Sequence, residues 1–182
     1  MTYFVTGATG FVGRHLVERL LERDGDVHVL VREGSQERLV RLVERWGAGA
    51  RELVKPVVGD LTEPRLGLSD DQVAQLAGGV EHVFHLAAMY DMTADDAANE
   101  RLNVGGTRAV VALANALGAG CLHHVSSVAV AGERRGLFRE DHFDEGQKLP
   151  SAYHRTKFLA EKHVRDAATV PWRVYRPAIV VG

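Results

Sequence analysis

A glycine-rich loop near the start of the chain constrains the fold more than any other feature. The residues TGATGFVG, 6–13, follow a short β-rich run and precede a stretch whose apolar residues recur at helical spacing. Gly7 permits a tight turn, Gly10 lets a ligand approach the backbone, and Gly13 lets the helix pack close to the strand. The free N–H groups at the helix N-terminus favour an anion. The loop therefore predicts a dinucleotide-binding strand–turn–helix unit, with candidate contacts at Gly7, Thr9, Gly10, Phe11, Val12 and Gly13.

Strand-like and helix-like segments alternate along the rest of the chain. We expect strands over residues 3–6, 27–31, 53–58, 83–88, 121–126 and 172–175. We expect helices over residues 11–23, 36–46 (with Ser35 as N-cap), 70–76, 96–117 and 151–165. This alternation predicts an α/β fold, in which a doubly wound parallel sheet of strand order 3-2-1-4-5-6 carries helices on both faces.

Composition and charge exclude several classes of protein. The 22 basic and 24 acidic residues give a net charge of −2, which offers no electrostatic basis for binding nucleic acid or an anionic membrane. No stretch approaches the ~20 apolar residues that a membrane-spanning helix needs. A single cysteine, Cys121, excludes an internal disulfide, and we expect a cytoplasmic location. A length of 182 residues predicts one domain, 1–182.

Nine histidines raise the question of a metal site. His123 and His124 are neighbours on a predicted strand, so their side chains point to opposite faces of the sheet. His82 and His85, three positions apart on another predicted strand, also point to opposite faces. We therefore expect no metal site.

The end of the second predicted strand bears on the choice of cofactor. The first polar residue after Val31 is Arg32, and Arg38 follows nearby. A guanidinium suits a 2′-phosphate, so the pattern favours NADP(H) over NAD(H). Glu33 leaves the alternative open, because an acidic side chain there can bind the ribose hydroxyls of NAD instead.

A tyrosine and a lysine stand four residues apart on the last predicted helix. Tyr153 and Lys157 therefore share one helix face, about one turn apart. An ammonium beside a phenol favours the phenolate, so such a tyrosine can exchange a proton with a carbonyl oxygen during hydride transfer. The hydroxyl of Ser127, at the end of the fifth strand, could hydrogen-bond the same oxygen.

These features together resemble the extended short-chain dehydrogenases/reductases. The matching motifs are TGATGFVG (6–13), GDL (59–61), HLAA (85–88), NVGGT (103–107), VSS (125–127), the Tyr153/Lys157 pair and YRP (175–177). The resemblance implies a Rossmann fold with Ser127, Tyr153 and Lys157 as catalytic residues and Asn103 in support. It further implies that Asp60 and Leu61 flank the adenine, that Ala87 lines the cofactor, and that Pro177 lies near the nicotinamide.

Within this family the chain is similar to the reductase domain of bacterial fatty acyl-CoA reductases. The similar stretches are VLVREGS (29–35), GDLT (59–62), LGLS (66–69), AMYDM (88–92), HHVSS (123–127), FRED (138–141) and PWRVYRP (171–177). The resemblance implies reduction of an acyl thioester by NADPH to an aldehyde, or onward to an alcohol. It also implies a homodimer formed through the helices at 96–117 and 151–165.

Two other functions share parts of this pattern. A nucleotide-sugar epimerase of the same family has most of the motifs, but favours an acidic residue at the position of Arg32. A non-catalytic dinucleotide-binding domain usually lacks such a tyrosine–lysine pair, whereas this chain has Tyr153 and Lys157. Because family members are longer, the resemblance also implies that residues 1–182 are an N-terminal fragment. The C-terminal substrate part would then be missing, and one sheet face would lack its covering helix.

Overall fold

The computed structural model describes residues 1–23, 25–88 and 96–181. In this part of the chain six parallel strands form one sheet in the order β3-β2-β1-β4-β5-β6. The predicted fold class and strand order are therefore confirmed. The strands are β1 Tyr3–Thr6, β2 Val27–Val31, β3 Val54–Val58, β4 His82–His85, β5 Cys121–Val125 and β6 Trp172–Tyr175.

Helices cover both faces of the sheet. They are α1 Phe11–Leu21, α2 Gln36–Trp46, α3 Ala50–Leu53, α4 Asp70–Leu76, α5 Asp96–Asn99, α6 Gly106–Leu117 and α7 Ala152–Ala167. Short 3₁₀-helices span Glu33–Ser35, Pro64–Gly67 and Val128–Ala131, and a π-helix spans Glu100–Gly105. One apolar core packs α1 and α2 against the sheet, and a second packs α4, α6 and α7 against the opposite face.

The region predicted as a helix, 96–117, is helical throughout, but a π-helix separates its two α-helical parts. The π-helix buries Asn103 and Val104. A π-turn holds one extra residue, so it changes the direction in which the following side chains point. Gly105 and Gly106 have weak helix propensity, which explains why the regular helix gives way at this point.

Other predicted boundaries differ by a few residues. Strand β4 ends at His85 rather than at residue 88, because the Ala87 N–H approaches the Thr6 side chain, 3.4 Å from Oγ1, and the backbone leaves the sheet. Ser35 holds the N-cap position of α2, but its side chain accepts no hydrogen bond from the helix. Residues 89–92 of the AMYDM stretch lie outside the described residues.

The strands place their following loops along one edge of the sheet. All six strands run in the same direction, so their carboxyl ends meet at that edge, where α/β folds bind ligands. The segments that follow the six strands carry nine of the sixteen predicted site residues: Gly7, Thr9, Gly10, Arg32, Asp60, Leu61, Ala87, Ser127 and Pro177. None of the helices in the described part of the chain has the length and apolar character needed to cross a bilayer.

Candidate active site

The loop between β1 and α1 has a backbone shape that only glycine permits. Gly7 has a φ of +77°, and a Cβ atom there would lie 2.6 Å from the backbone nitrogen of Ala87. A Cβ atom on Gly13 would lie 2.1 Å from the carbonyl oxygen of Gly7. Helix α1 begins at Phe11 with Gly10 as its N-cap and has no acidic residue in its first turn. The loop therefore offers the helix N-terminus to an anion with no carboxylate beside it.

A cavity of about 600 Å³ opens in front of this loop, and we call it the loop cavity. Six predicted cofactor contacts are not among its lining residues: Phe11, Val12, Gly13, Tyr153, Lys157 and Pro177. Gly13 instead packs against Ala8 and the Gly7 backbone. Eight predicted contacts do line the loop cavity: Gly7, Thr9, Gly10, Arg32, Arg38, Asp60, Leu61 and Ala87.

Three guanidinium groups line the loop cavity. Arg32 and Arg38 were predicted from the sequence, whereas Arg101, from the π-helix, was not. Among the described residues, no carboxylate lies within ion-pairing distance of any of the three. Glu33 is not part of the lining. Unpaired positive charge around one cavity favours an anionic ligand. Nothing in the sequence distinguishes Arg101 from any other exposed arginine on a predicted helix, so its place in the cavity could not be predicted.

A fixed carboxylate lies on the wall of the loop cavity. Asp60 Oδ1 accepts hydrogen bonds from the backbone N–H of Thr62 at 2.8 Å and from its hydroxyl at 2.7 Å. These two bonds lower the pKa of Asp60, and the charge on Arg32 lowers it further, against a smaller opposing effect of burial. Asp60 is therefore an ionised acceptor next to Leu61. That Asp60 and Leu61 flank the adenine of a bound cofactor stays a prediction.

Helix α7 carries the predicted tyrosine and lysine. The Lys157 ammonium donates a hydrogen bond to the carbonyl oxygen of Val125 at 2.8 Å, and the residue is only 3% exposed. Burial lowers the pKa of Lys157 to about 8, although the nearby charge on Glu161 opposes the shift. Tyr153 lies half-buried one turn earlier on α7. The ammonium is thus fixed at the end of β5, two residues before Ser127.

Two further predicted residues pack around the same helix. Ser127 begins the 3₁₀-helix after β5, and its Oγ accepts a hydrogen bond from the Ala129 N–H at 3.1 Å. Asn103 Nδ2 donates to Thr156 Oγ1 at 3.2 Å, next to Lys157 on α7. The structure brings Ser127, Asn103 and Lys157 to the N-terminal half of α7, and their catalytic roles stay predictions.

A larger cavity of about 1110 Å³ adjoins the first, and we call it the sheet cavity. Leu86 lines both cavities, and the predicted contacts Val12 and Pro177 line the sheet cavity rather than the loop cavity. The rest of its lining is mostly apolar and comes from α1, the later strands and the loop 138–140. Tyr175, in the lining, is 44% exposed.

The histidines pair between strands rather than along them. His82 Nδ1 lies 3.0 Å from His123 Nε2 on one face of the sheet, while the ring centroids of His85 and His124 lie 5.3 Å apart, with the rings tilted by 33°, on the other. The predicted alternation of faces is confirmed. Over the ranges that the structure describes, no three His, Cys, Asp or Glu side chains converge on a point that could hold a metal ion.

Comparison with known proteins places this geometry in a family. The Male sterility protein family, an NAD-binding family, matches residues 5–182. The chain belongs to this family. It is therefore an extended short-chain dehydrogenase/reductase, and the class consists of NAD(P)-dependent oxidoreductases, as the sequence motifs predicted.

Two relatives and one solved structure show how far the similarity of this extended reductase domain extends. The chain is 36% identical over 170 residues to a Synechocystis protein assigned as a dihydroflavonol 4-reductase, covering 91% of this chain and 45% of that protein. It is 28% identical over 221 residues to a Drosophila melanogaster protein assigned as a fatty acyl-CoA reductase, covering 98% and 41%. The terminal R domain from the myxalamid PKS-NRPS biosynthetic pathway superposes with a TM-score of 0.88 at 31% identity, covering 100% and 49%. The chain thus spans less than half the length of each of these proteins.

Proposed function

We propose that this chain is the cofactor-binding part of a reductase that uses NADPH to convert an acyl thioester, of the fatty acyl-CoA type, to an aldehyde or alcohol. One observation carries the proposal. The buried Lys157 is held at the end of β5 beside Ser127, with Tyr153 one turn earlier on α7. Val125, its hydrogen-bond partner, lines the apolar sheet cavity. Similarity to a protein assigned as a fatty acyl-CoA reductase supports the choice of substrate.

The loop cavity fits a dinucleotide phosphate. Side chains at Gly7 and Gly13 would collide with backbone atoms, so these glycines let the loop turn tightly and present the N-terminus of α1 to a phosphate. Arg32, Arg38 and Arg101 supply positive charge, and no carboxylate of the described residues forms a direct ion pair with any of them. The reduced nicotinamide, when bound, supplies the hydride.

The chain's own residues would then act on the substrate carbonyl. Tyr153 and Ser127 would donate hydrogen bonds to the carbonyl oxygen and stabilise the negative charge that develops there. Lys157 would hold the ribose and favour the ionised form of Tyr153 after proton transfer. Asn103 would fix α7 through Thr156. Collapse of the oxyanion breaks the carbon–sulfur bond, and the departing thiolate takes up a proton, so that one aldehyde and one thiol form for each hydride consumed.

The three arginines lead to a prediction about cofactor choice. We expect Arg32→Ala to raise the Kd for NADPH by on the order of tenfold to a hundredfold, because a charged hydrogen bond to the 2′-phosphate is lost. The Kd for NADH should change by less than about twofold. Fluorescence titration of the two cofactors side by side measures both constants.

The matched control for this titration is Arg45→Ala, which removes an exposed charge from α2 outside the loop cavity. It should leave both constants unchanged. Equal binding of NADPH and NADH by the unaltered chain would reject the 2′-phosphate argument and favour the epimerase alternative. Binding of cofactor without turnover of any substrate would favour the non-catalytic alternative.

The thioester reaction itself has a direct test. We expect NADPH oxidation in the presence of a long-chain acyl-CoA to release free thiol, with one thiol per NADPH for an aldehyde product and one per two NADPH for an alcohol. Absorbance of NADPH and a thiol reagent follow the two quantities in the same samples. Thiol release that does not need NADPH would contradict the proposal, because it would indicate hydrolysis.

Reduction of a ketone is a second candidate, favoured by the 36% identity to a protein assigned as a dihydroflavonol 4-reductase. The same tyrosine and serine could stabilise an alkoxide, and no bond to a leaving group would break. NADPH oxidation with a ketone, and none with an acyl thioester, would favour this candidate.

Three other expectations stay predictions. Residues 1–182 form the cofactor-binding domain of a longer protein, the protein is cytoplasmic, and it forms a homodimer through the region 96–117 and α7. Leu159 on α7 is an exposed apolar residue that could contribute to such an interface. Analytical sedimentation that shows only monomer at high concentration would contradict the dimer.

A further inference from the structure

A series of buried hydrogen bonds, connected at Asn103 through that residue's own backbone and side chain, joins the end of β1 to α7. Its centre is His85, the last residue of β4. His85 Nδ1 lies 2.8 Å from Thr6 Oγ1, and His85 Nε2 lies 3.0 Å from Thr107 Oγ1 on α6. Thr107 Oγ1 donates to the carbonyl oxygen of Asn103 at 2.6 Å, and Asn103 Nδ2 donates to Thr156 Oγ1 at 3.2 Å. These hydrogen bonds therefore run from Thr6, the residue before Gly7, to Thr156, the residue before Lys157.

The geometry assigns the position of each proton in this series. Thr107 has a single hydroxyl proton, which it gives to Asn103, so it must accept from His85 Nε2–H. A neutral imidazole then has an unprotonated Nδ1, which accepts from the Thr6 hydroxyl. At the other end Thr156 donates to the carbonyl oxygen of Tyr153 at 3.3 Å and so accepts from Asn103. Every group has one compatible role.

The surroundings of His85 keep it neutral. The side chain is only 2% exposed, and burial, aided by the positive charge on Lys157, lowers the pKa of His85 to about 3. A second proton on the ring would also leave the Thr6 hydroxyl facing another donor. At neutral pH, the hydrogen bonds to Thr6 and Thr107 are therefore compatible with the neutral tautomer of His85 that carries its proton on Nε2.

We propose that His85 is a positioning residue, which holds Asn103 and α7 in place relative to the phosphate loop through its Nε2–H bond to Thr107. The tests of this role that measure activity rest on the proposed reductase function, whereas the spectroscopic test does not. The neighbouring His124 shows that burial alone does not require such bonding. It is 1% exposed and its ring contacts that of His85, yet among the described residues neither of its ring nitrogens has a hydrogen-bond partner.

Two pairs of variants separate hydrogen bonding from packing. Thr107→Val removes the hydroxyl at almost constant volume, and Thr107→Ser restores it. His85→Gln keeps a donor near the position of Nε2, whereas His85→Leu keeps only the bulk. His124→Leu is the matched control, because it removes a buried imidazole that makes no hydrogen bond in the described structure.

We expect Thr107→Val and His85→Leu to lower kcat by on the order of tenfold to a hundredfold, because displacement of α7 misplaces the reacting groups. The Kd for NADPH should change by less than about threefold. Thr107→Ser and His85→Gln should recover most of the activity, and His124→Leu should keep it. Unchanged kcat in Thr107→Val, or an equal loss in His124→Leu, would overturn the proposal.

A spectroscopic readout tests the same proposal without activity. The ¹⁵N NMR shifts of His85 in the unaltered chain should show a protonated Nε2 and an unprotonated Nδ1 at neutral pH, and Thr107→Val should shift the amide signals of both Ala87 and Thr156. The opposite tautomer, an imidazolium, or a shift at one end alone would overturn it. If these signals appear as expected but no thioester is reduced, the proposed function fails and the positioning role of His85 stands.

Discussion

Tyr153→Phe should lower kcat for NADPH oxidation by on the order of a hundredfold to ten-thousandfold, the range that a positioned general acid contributes. The loss arises because the phenol that would donate to the carbonyl oxygen is removed, while the ring and α7 remain. The Kd for NADPH should change little, since Tyr153 does not line the loop cavity. Stopped-flow absorbance at saturating NADPH, together with a binding titration, separates the two effects.

Tyr3→Phe is the control for this experiment. Tyr3 lies in β1, is 2% exposed, and its hydroxyl donates to the sulfur of Met1 rather than to any predicted site residue. It should retain full activity. If Tyr153→Phe keeps more than about half of the unaltered kcat, a tyrosine-based proton transfer is wrong and another donor has to be found.

Glu161→Gln should lower the free energy of unfolding by about 3–5 kcal/mol, the cost of breaking one side of a buried ion pair. Glu161 is completely buried on α7 and pairs with two guanidinium groups. Arg176 donates to its Oε1 at 2.6 Å and to its Oε2 at 3.1 Å, and Arg165 donates to Oε1 at 2.9 Å. A neutral amide would leave both cations short of a counter-charge. Urea unfolding at neutral pH measures the difference.

The effect of this substitution should depend on pH. Although burial alone would raise it, the pKa of Glu161 is lowered overall by the hydrogen bonds and the charge of Arg176 and by the hydrogen bond from Arg165. A carboxyl whose folded pKa lies below its unfolded pKa stabilises the fold at neutral pH, and loses that contribution as the pH falls through the folded pKa. The difference between Glu161→Gln and the unaltered chain should therefore shrink in acid.

Asp166→Asn provides the comparison on the same helix. Asp166 pairs with Lys162 at 3.1 Å, but the two side chains are 60% and 46% exposed. Such a pair contributes about 1 kcal/mol or less, so the substitution should have little effect. Similar losses in both variants would show that the burial of Glu161 does not matter.

The consequences of losing Glu161 reach the sheet cavity. Arg176 also donates to the carbonyl oxygens of His142 at 2.9 Å and Arg139 at 3.3 Å. The segment around Arg139 forms one wall of that cavity. The buried ion pair therefore connects the helix that carries Lys157 to a wall of the sheet cavity.

Local sequence patterns explain which parts of this molecule could be predicted. The loop at 6–13 depends on glycine spacing within eight residues, and the Tyr153/Lys157 pair depends on one helical turn. Their geometry needs no distant partner, so the sequence alone indicated both. The sheet order followed from the alternation of strands and helices together with the family resemblance.

The remaining features depend on contacts between distant residues. His85 meets Thr6 79 positions earlier and Thr107 22 positions later, so no spacing rule indicates its role. The entry of Arg101 into the loop cavity depends on the π-helix, which replaced a predicted regular helix. Arg176, the residue after β6, bonds to Glu161 on α7, 15 positions earlier in the chain.

The most direct test of the proposed function follows the hydride. NADPH carrying deuterium on the transferred position of nicotinamide C4 is incubated with the chain and a long-chain acyl-CoA, and the products are examined by mass spectrometry. The proposed reaction predicts free CoA thiol and an aldehyde with one deuterium at C1, or an alcohol with two, and neither product from Tyr153→Phe above background. Release of the thiol with an unlabelled carboxylic acid, or deuterium transfer to ketones but never to a thioester, would contradict it.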